Sequence, residues 1–354
     1  MYGAISFWHR RLACGIILLM AVIGVYDATD QDKYVFRELG KTHDVRLHTD
    51  KLTADTADRD TEILSVFTVS KVDAAIFKQM PKLKLIACRS TGFNNIDAAA
   101  AKKHKVVVVN VPTYGEHTVA EYTFTLMLAL SRKLLQTVEQ VRRGDIDATT
   151  THGMDLYSKT LGVVGCGRIG RNVACLGKAF GMKVIGFDPF PDEAAAKEIG
   201  YHYVPFDELV ASSHVISLHS PYTKDNHHLI NARTLAKTKR GALLINTARG
   251  ELVDTIALTE ALQTGQLAGA ALDVLEDEKL LDVDEEELIL RASSVPRASL
   301  ENAVAIDVLS KMFNVIITSH NAYNTVEAIR RINQTTVTNI EAFLAGKPQN
   351  QVKM

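Results

Sequence analysis

Leu161-Gly162-Val163-Val164-Gly165-Cys166-Gly167-Arg168-Ile169-Gly170 carries an apolar strand into a glycine-spaced turn and then into a helical pattern reaching Phe180. Three glycines in a G-x-G-x-x-G spacing are weak by themselves. Here they follow a strand and open a helix, the context the pattern needs. Gly165 permits the tight turn, Gly167 leaves the backbone open to a pyrophosphate, and Gly170 lets helix and strand pack closely. Free N–H groups at the helix start, around Arg168 and Ile169, then face phosphate oxygens.

About 20 residues on, the next strand, Lys183–Asp188, ends in an acid. Asp188 there can accept hydrogen bonds from both adenosine ribose hydroxyls and would repel a 2′-phosphate. No Arg or Lys follows among Pro189, Phe190, Pro191 and Asp192. The spacing therefore selects NAD over NADP. The bland alternative, an Asp that caps a strand in a unit without nucleotide, does not explain the ordered set of strand, glycine turn, helix, strand and acid.

Outward from this stretch, strand and helix alternate. Strands are expected at Leu161–Gly165, Lys183–Asp188, His202–Val204, Val215–His219, Ala242–Thr247, Leu267–Val274 and Asn314–Thr318, with helices at Ile169–Phe180, Pro191–Ile199, Asp207–Ala211, Ala232–Lys237 and Asp254–Thr264. An earlier unit alternates likewise, with apolar runs at Met20–Tyr26, Val45–Leu47, Ile63–Phe67, Leu85–Ala87 and Val106–Val109, and helices at Gln31–Leu39 and Ala74–Met80. Such alternation means parallel sheets covered on both faces. Val119–Leu130 is expected as a helix buried all round, with Glu121 holding a polar partner. Arg142–Lys159 is expected as a connection. Residues 276–293 are acidic and helical in tendency, with a solvated face expected. Thr325–Leu344 is a terminal helix with Thr325 as N-cap and Gly346 beyond its end.

Composition agrees with two α/β domains. The chain has 354 residues, 47% of them hydrophobic, and a net charge of −1. No basic block points to nucleic acid, and none to a membrane surface, so a small ligand is expected. The four cysteines, Cys14, Cys88, Cys166 and Cys175, have neither metal-ligand spacing nor the density of a disulfide scaffold, which suits a cytoplasmic protein. The His227–His228 pair lacks ligand spacing and is assigned to loop or surface, so no metal is expected. Residues 1–19 are taken as an extension outside the fold. Arg10 and Arg11 precede an apolar run resembling a signal segment, but its second half is needed as the first core strand.

Three strand ends carry the chemistry. Asn246-Thr247-Ala248-Arg249-Gly250, Leu272-Asp273-Val274-Leu275-Glu276-Asp277-Glu278 and Ile317-Thr318-Ser319-His320-Asn321-Ala322 each close an apolar run. Ligands of open parallel sheets bind outside the carboxyl ends of strands, so an Arg, a Glu and a His at three such ends can meet in one pocket. With the glycine turn and Pro112-Thr113-Tyr114-Gly115-Glu116-His117-Thr118-Val119-Ala120-Glu121, these segments make the chain resemble the D-isomer-specific 2-hydroxyacid dehydrogenases, most closely the lactate type, from about Met20 to the end.

The resemblance implies an α/β fold of two doubly wound parallel-sheet domains, a Rossmann NAD domain (119–318) inserted into a flavodoxin-like substrate domain (20–118 and 319–354), with the cleft between them. It also implies hydride transfer between NAD and a small 2-keto acid/D-2-hydroxy acid pair, pyruvate and D-lactate foremost, and a homodimer. Carried over by matching positions, Arg249 would pair with the substrate carboxylate and polarise the keto oxygen. His320 would be general acid and base, as imidazole suits near neutral pH. Glu278 would accept a hydrogen bond from its other ring nitrogen. Arg168, Ile169, Asp188, Ser220, Pro221 and Asn226 would line the NAD site. So would Thr247, Ala248, Arg249 and Asp273, the last near the nicotinamide amide. Thr91 and Gly92 would offer backbone N–H groups to the carboxylate, while Tyr114, Tyr323 and Phe67 would wall the side-chain pocket.

The chain departs from the family pattern at Ser319 and Phe313, where Pro is common, and at His214, where Asp is common. Glu278 argues against the formate dehydrogenases, which carry Gln in that role. Hydroxypyruvate, glyoxylate or an aromatic 2-keto acid stays open as substrate. So does a non-catalytic NAD-sensing protein like the family's corepressors.

Overall fold

The computed structural model describes residues 20–276 and 296–353. They form two compact units, one from residues up to Tyr114 together with Thr325 onward, the other from Gly115 to Asn324.

The first unit is a five-stranded parallel sheet of β1 (Val22–Val25), β2 (Asp44–Leu47), β3 (Ile63–Val66), β4 (Leu85–Cys88) and β5 (Val107–Val109), in the order β2-β1-β3-β4-β5. The strands are short; β3 and β4 are buried throughout, as expected of a sheet covered on both faces, while the edge strand β2 is only partly buried. The terminal helix Val326–Leu344 returns here. Thr325 caps it by accepting the Ala328 N–H at 3.1 Å, Asn339 donates to the Asn110 carbonyl at 2.8 Å, and Ile340 is fully buried in the sheet's core. A single cap and one apolar stripe thus bring the chain's end back to its beginning.

The second unit is a seven-stranded parallel sheet: β6 (Thr160–Val164), β7 (Lys183–Phe187), β8 (His202–Tyr203), β9 (Val215–Leu218), β10 (Ala242–Asn246), β11 (Leu267–Leu272) and β12 (Val315–Ile317). Its order is β12-β11-β10-β9-β6-β7-β8. The strand order reverses between β6 and β9, and a crevice opens at such a switch point. Two apolar clusters pack on the sheet. One includes Val164, Leu244, Leu258 and Ile306, and the other Phe124, Met127, Val173 and Ile245.

Several expectations change. The helix expected over Val119–Leu130 runs Glu116–Ser131, and Glu121 is exposed on it, so the helix is not buried all round. Helices Ala98–Lys103, Leu134–Arg142 and Arg297–Ser310 were not foreseen. The extension 1–19 and most of the acidic stretch 276–293 lie outside the described residues. Among the described residues, no helix is long and apolar enough to cross a membrane.

Candidate active site

The turn after β6 is built by close backbone approach. Gly165 has φ +90°, and a Cβ there would lie 2.5 Å from the Ser220 nitrogen; a Cβ on Gly170 would lie 2.0 Å from the Gly165 carbonyl oxygen. The helix Arg168–Ala179 follows with Gly167 as an N-cap that contributes no side chain. The N–H groups of Arg168, Ile169 and Gly170 find no partner among the described residues. A Cβ on Gly167 would meet nothing within 4 Å. An open approach over uncapped N–H groups is an anion cradle. The exposed Arg168 guanidinium lies 3.7 Å from Glu116.

Asp188, half-buried after β7, holds this turn. Its carboxylate accepts the Cys166 N–H at 2.8 Å and the Phe190 N–H at 2.9 Å. Each oxygen keeps a lone pair for a further donor. Burial pushes the Cys166 thiol up to about 11, so it packs as a neutral group.

After β9, the Ser220 hydroxyl donates to the Val164 carbonyl at 3.3 Å. Asn226 donates to the Pro221 carbonyl and accepts the Thr223 N–H, so its carboxamide closes its own loop. His219, between strand and loop, bonds Ser217 through Nε2 at 2.8 Å; its Nδ1 is buried without a partner among the described residues. Burial lowers its pKa to about 3.

Beyond β10, fully buried Asn246 shapes the next loop. Its carboxamide accepts the Ala248 N–H at 3.0 Å and donates to the Arg249 carbonyl at 2.8 Å. Thr247 is anchored to Thr123 at 2.9 Å. Arg249 is half-buried, with Nη1 donating to the Ala248 carbonyl at 2.6 Å.

Asp273, beyond β11, is 1% exposed and ties together the loop beyond β12. Its carboxylate accepts from the Thr318 hydroxyl at 2.6 Å and from the Asn321 and Ala322 N–H groups at 2.8 and 2.9 Å. Its carbonyl accepts the His320 N–H at 2.8 Å. His320 is thereby held at φ +52°, a left-handed conformation that disfavours most residues. Burial, with the Asp273 charge close by, raises the phenol of Tyr323 above its usual value and keeps it a neutral donor. Asp273→Ala would strand three donors in the interior. It is expected to destabilise this unit by about 3 kcal/mol, measured by chemical denaturation.

β10, β11 and β12 are hydrogen-bonded neighbours, so Arg249, Asp273 and His320 follow three adjacent strand ends. Glu278 lies outside the described residues. In the first unit, the N–H groups of Thr91 and Gly92 have no partner among the described residues, while the Thr91 hydroxyl donates to the Val111 carbonyl at 2.7 Å. Tyr114 and Phe67 also belong to that unit and are half-buried.

The sequence profile described as "D-isomer specific 2-hydroxyacid dehydrogenase, NAD binding domain" matches residues 124–322. The chain is 33% identical over 333 residues to a D-lactate dehydrogenase of Escherichia coli strain K12, covering 92% of this chain and 97% of that protein. This chain belongs to the D-isomer-specific 2-hydroxyacid dehydrogenase family. A glycerate dehydrogenase of Methylorubrum extorquens is 38% identical over 286 residues, 79% of this chain and 82% of that protein. A crystal structure of D-lactate dehydrogenase from Aquifex aeolicus, complexed with NAD and lactic acid, superposes with a TM-score of 0.78 at 36% identity, covering 92% of this chain and 96% of that one.

The chain is an NAD-dependent D-2-hydroxyacid dehydrogenase, and its residues fit that cofactor. The uncapped helix start suits a pyrophosphate, and the anchored Asp188 carboxylate suits a ribose diol. Sequence reasoning gave no role to Asn246, which shapes the Arg249 loop, or to Gly250. A Cβ on Gly250 would lie 1.9 Å from the Leu275 carbonyl carbon. The only local signal was a small residue directly after the candidate arginine. The other omission is Glu276, whose carboxylate lies 2.7 Å from His228 across 48 residues of sequence.

Proposed function

We propose that this dehydrogenase interconverts a small 2-keto acid and its D-2-hydroxy acid, with pyruvate and D-lactate the leading pair. One observation carries the reading: Arg249 and His320 lie just beyond the carboxyl ends of β10 and β12, the two strands that flank β11 in one parallel sheet, with buried Asp273 beyond β11 holding His320 in its left-handed turn. Bound NAD supplies or accepts the hydride. The Arg249 fork pairs with the substrate carboxylate and draws charge from the keto oxygen. His320 delivers a proton to that oxygen during reduction and removes it during oxidation. Glu278 accepts a hydrogen bond from the second ring nitrogen and fixes the ring. The Thr91 and Gly92 N–H groups bind the carboxylate.

The preference for pyruvate is supported by the lactate-type relatives. The glycerate dehydrogenase relative supports a second reading, hydroxypyruvate. A panel of pyruvate, hydroxypyruvate, glyoxylate, 2-ketoisocaproate and phenylpyruvate with NADH decides between them by kcat/KM. Pyruvate is expected to lead. Another acid ahead by more than about tenfold would reassign the pocket, and no NADH oxidation with any of them would overturn the small 2-keto acid assignment.

Asp188 would set the cofactor preference by accepting hydrogen bonds from the ribose hydroxyls. Asp188→Ala is expected to lower the ratio of kcat/KM for NADH over NADPH by roughly tenfold to a hundredfold, since a charge-assisted pair and a repulsion vanish together. An unchanged ratio would remove Asp188 from this role.

A further inference from the structure

His227, His228 and Glu276 converge at the base of the loops after β9 and β11. We propose that these three side chains bind a divalent transition metal ion of the zinc class, fastening one loop to the other. Their nearest ligand atoms all lie within 4.8 Å of one another. Each carboxylate oxygen of Glu276 faces a different ring: Oε2 is 2.7 Å from His228 Nε2, and Oε1 is 4.0 Å from His227 Nε2.

Neighbouring residues in extended chain point to opposite sides. Here the chain turns at His228, whose φ is +50°, and both rings emerge on the same side, stacked with centroids 3.9 Å apart and 22° between planes. The His228 N–H is fixed to the Glu251 carbonyl at 2.9 Å, and its carbonyl accepts from Asn231 at 2.9 Å. Glu276 is partly buried and is also held by Asn302, whose Nδ2 donates to Oε2 at 3.2 Å. The Tyr222 ring meets His227 edge-on at 5.9 Å. Supporting contacts of this kind aim ligands in metal sites.

The donor set fixes the class of ion. Two imidazole nitrogens and one carboxylate oxygen suit Zn²⁺, Co²⁺, Ni²⁺ or Cu²⁺, whereas Ca²⁺ and Mg²⁺ want oxygen throughout. Metal–ligand bonds of about 2.0–2.2 Å separate tetrahedral ligands by roughly 3.3–3.5 Å. With Oε2 as the single carboxylate ligand, the 2.7 Å pair must therefore open by roughly 0.6–0.8 Å; with Oε1 as the ligand, the 4.0 Å pair must close by roughly 0.5–0.7 Å. Three protein ligands leave one position for water.

Co²⁺ is the spectroscopic probe. The full chain, stripped with chelator and dialysed, is titrated with Co²⁺ and separately with Zn²⁺, following the visible ligand-field absorption, the metal retained after gel filtration and the thermal midpoint. Expected are about one ion per chain, tetrahedral Co²⁺ bands, and a midpoint raised by either metal. Glu276→Gln and His227→Ala should each weaken binding by about a hundredfold. His228→Asn removes the imidazole with a residue that tolerates the left-handed turn, and should lose binding while still folding. No retained ion in the unmodified chain would overturn the proposal. So would equal binding by the unmodified chain and all three variants, which would put the ion on other members of the chain's 12 histidines.

Discussion

His320→Asn is expected to lower kcat for pyruvate reduction by about two to four orders of magnitude and to leave the KM for NADH within a few-fold. The choice of Asn follows from the backbone. His320 sits at φ +52°, where Ala adds a conformational cost and Asn adds little, so loss in the Asn variant reports the imidazole rather than the turn. The turn itself is over-determined. The Asp273 carbonyl accepts the His320 N–H, and the Asp273 carboxylate takes the next two N–H groups. With that framework intact, the cofactor site around β6 is untouched. Only the proton delivered to the substrate oxygen is missing, which lowers kcat rather than cofactor affinity. His320→Ala should fall at least as far in rate and also melt earlier. A His320→Asn variant turning over at the unmodified rate would remove His320 from the mechanism.

What the sequence made legible was local. Apolar runs such as Leu161–Val164 and Ala242–Ile245, each bounded by glycine or polar residues, announce buried parallel strands because nothing else buries so continuous a run. Thr325 announces its helix because the cap is made within one turn. Less legible were some of the helices. The helix Leu134–Arg142 carries an apolar stripe of Leu134, Leu135, Val138 and Val141 but buries none of its residues, and Ala98–Lys103 is mostly alanine and shows no such stripe. Glu121 was misjudged because nine residues of its helix are buried, yet its own position faces outward. In the site, Arg249 and His320 could be picked out as strand-end residues. What holds them could not. Asp273 meets Thr318 across 45 residues and His228 meets Glu276 across 48, separations set by strand order rather than by any local pattern. His227 and His228 looked like loop residues for the same reason: their carboxylate neighbour arrives from another strand end.

Gly250→Ala is expected to cost more than about 3 kcal/mol of stability and to lower NADH oxidation by at least about a hundredfold, although a single methyl group is added. The added carbon would lie 1.9 Å from the Leu275 carbonyl carbon and 2.2 Å from the Glu276 nitrogen. These are backbone atoms and cannot rotate aside, so the loop beyond β10 and the segment beyond β11 must separate. Arg249 directly precedes the glycine. Separation therefore displaces the guanidinium proposed to hold the substrate carboxylate, and misplacement by about an ångström is enough to lose two orders of magnitude in rate. Gly241→Ala is the comparison. Its φ is +83°, but a Cβ there meets nothing within 4 Å, so only the backbone cost of about 1–2 kcal/mol should appear, with activity retained. Paired urea denaturation and initial rates separate the two cases. NADH binding, followed by fluorescence, should survive better than turnover in Gly250→Ala, because the glycine turn belongs to β6, two strands away from β10. Equal behaviour of the two alanine variants would mean that the close approach at Gly250 does not hold the catalytic loops in register.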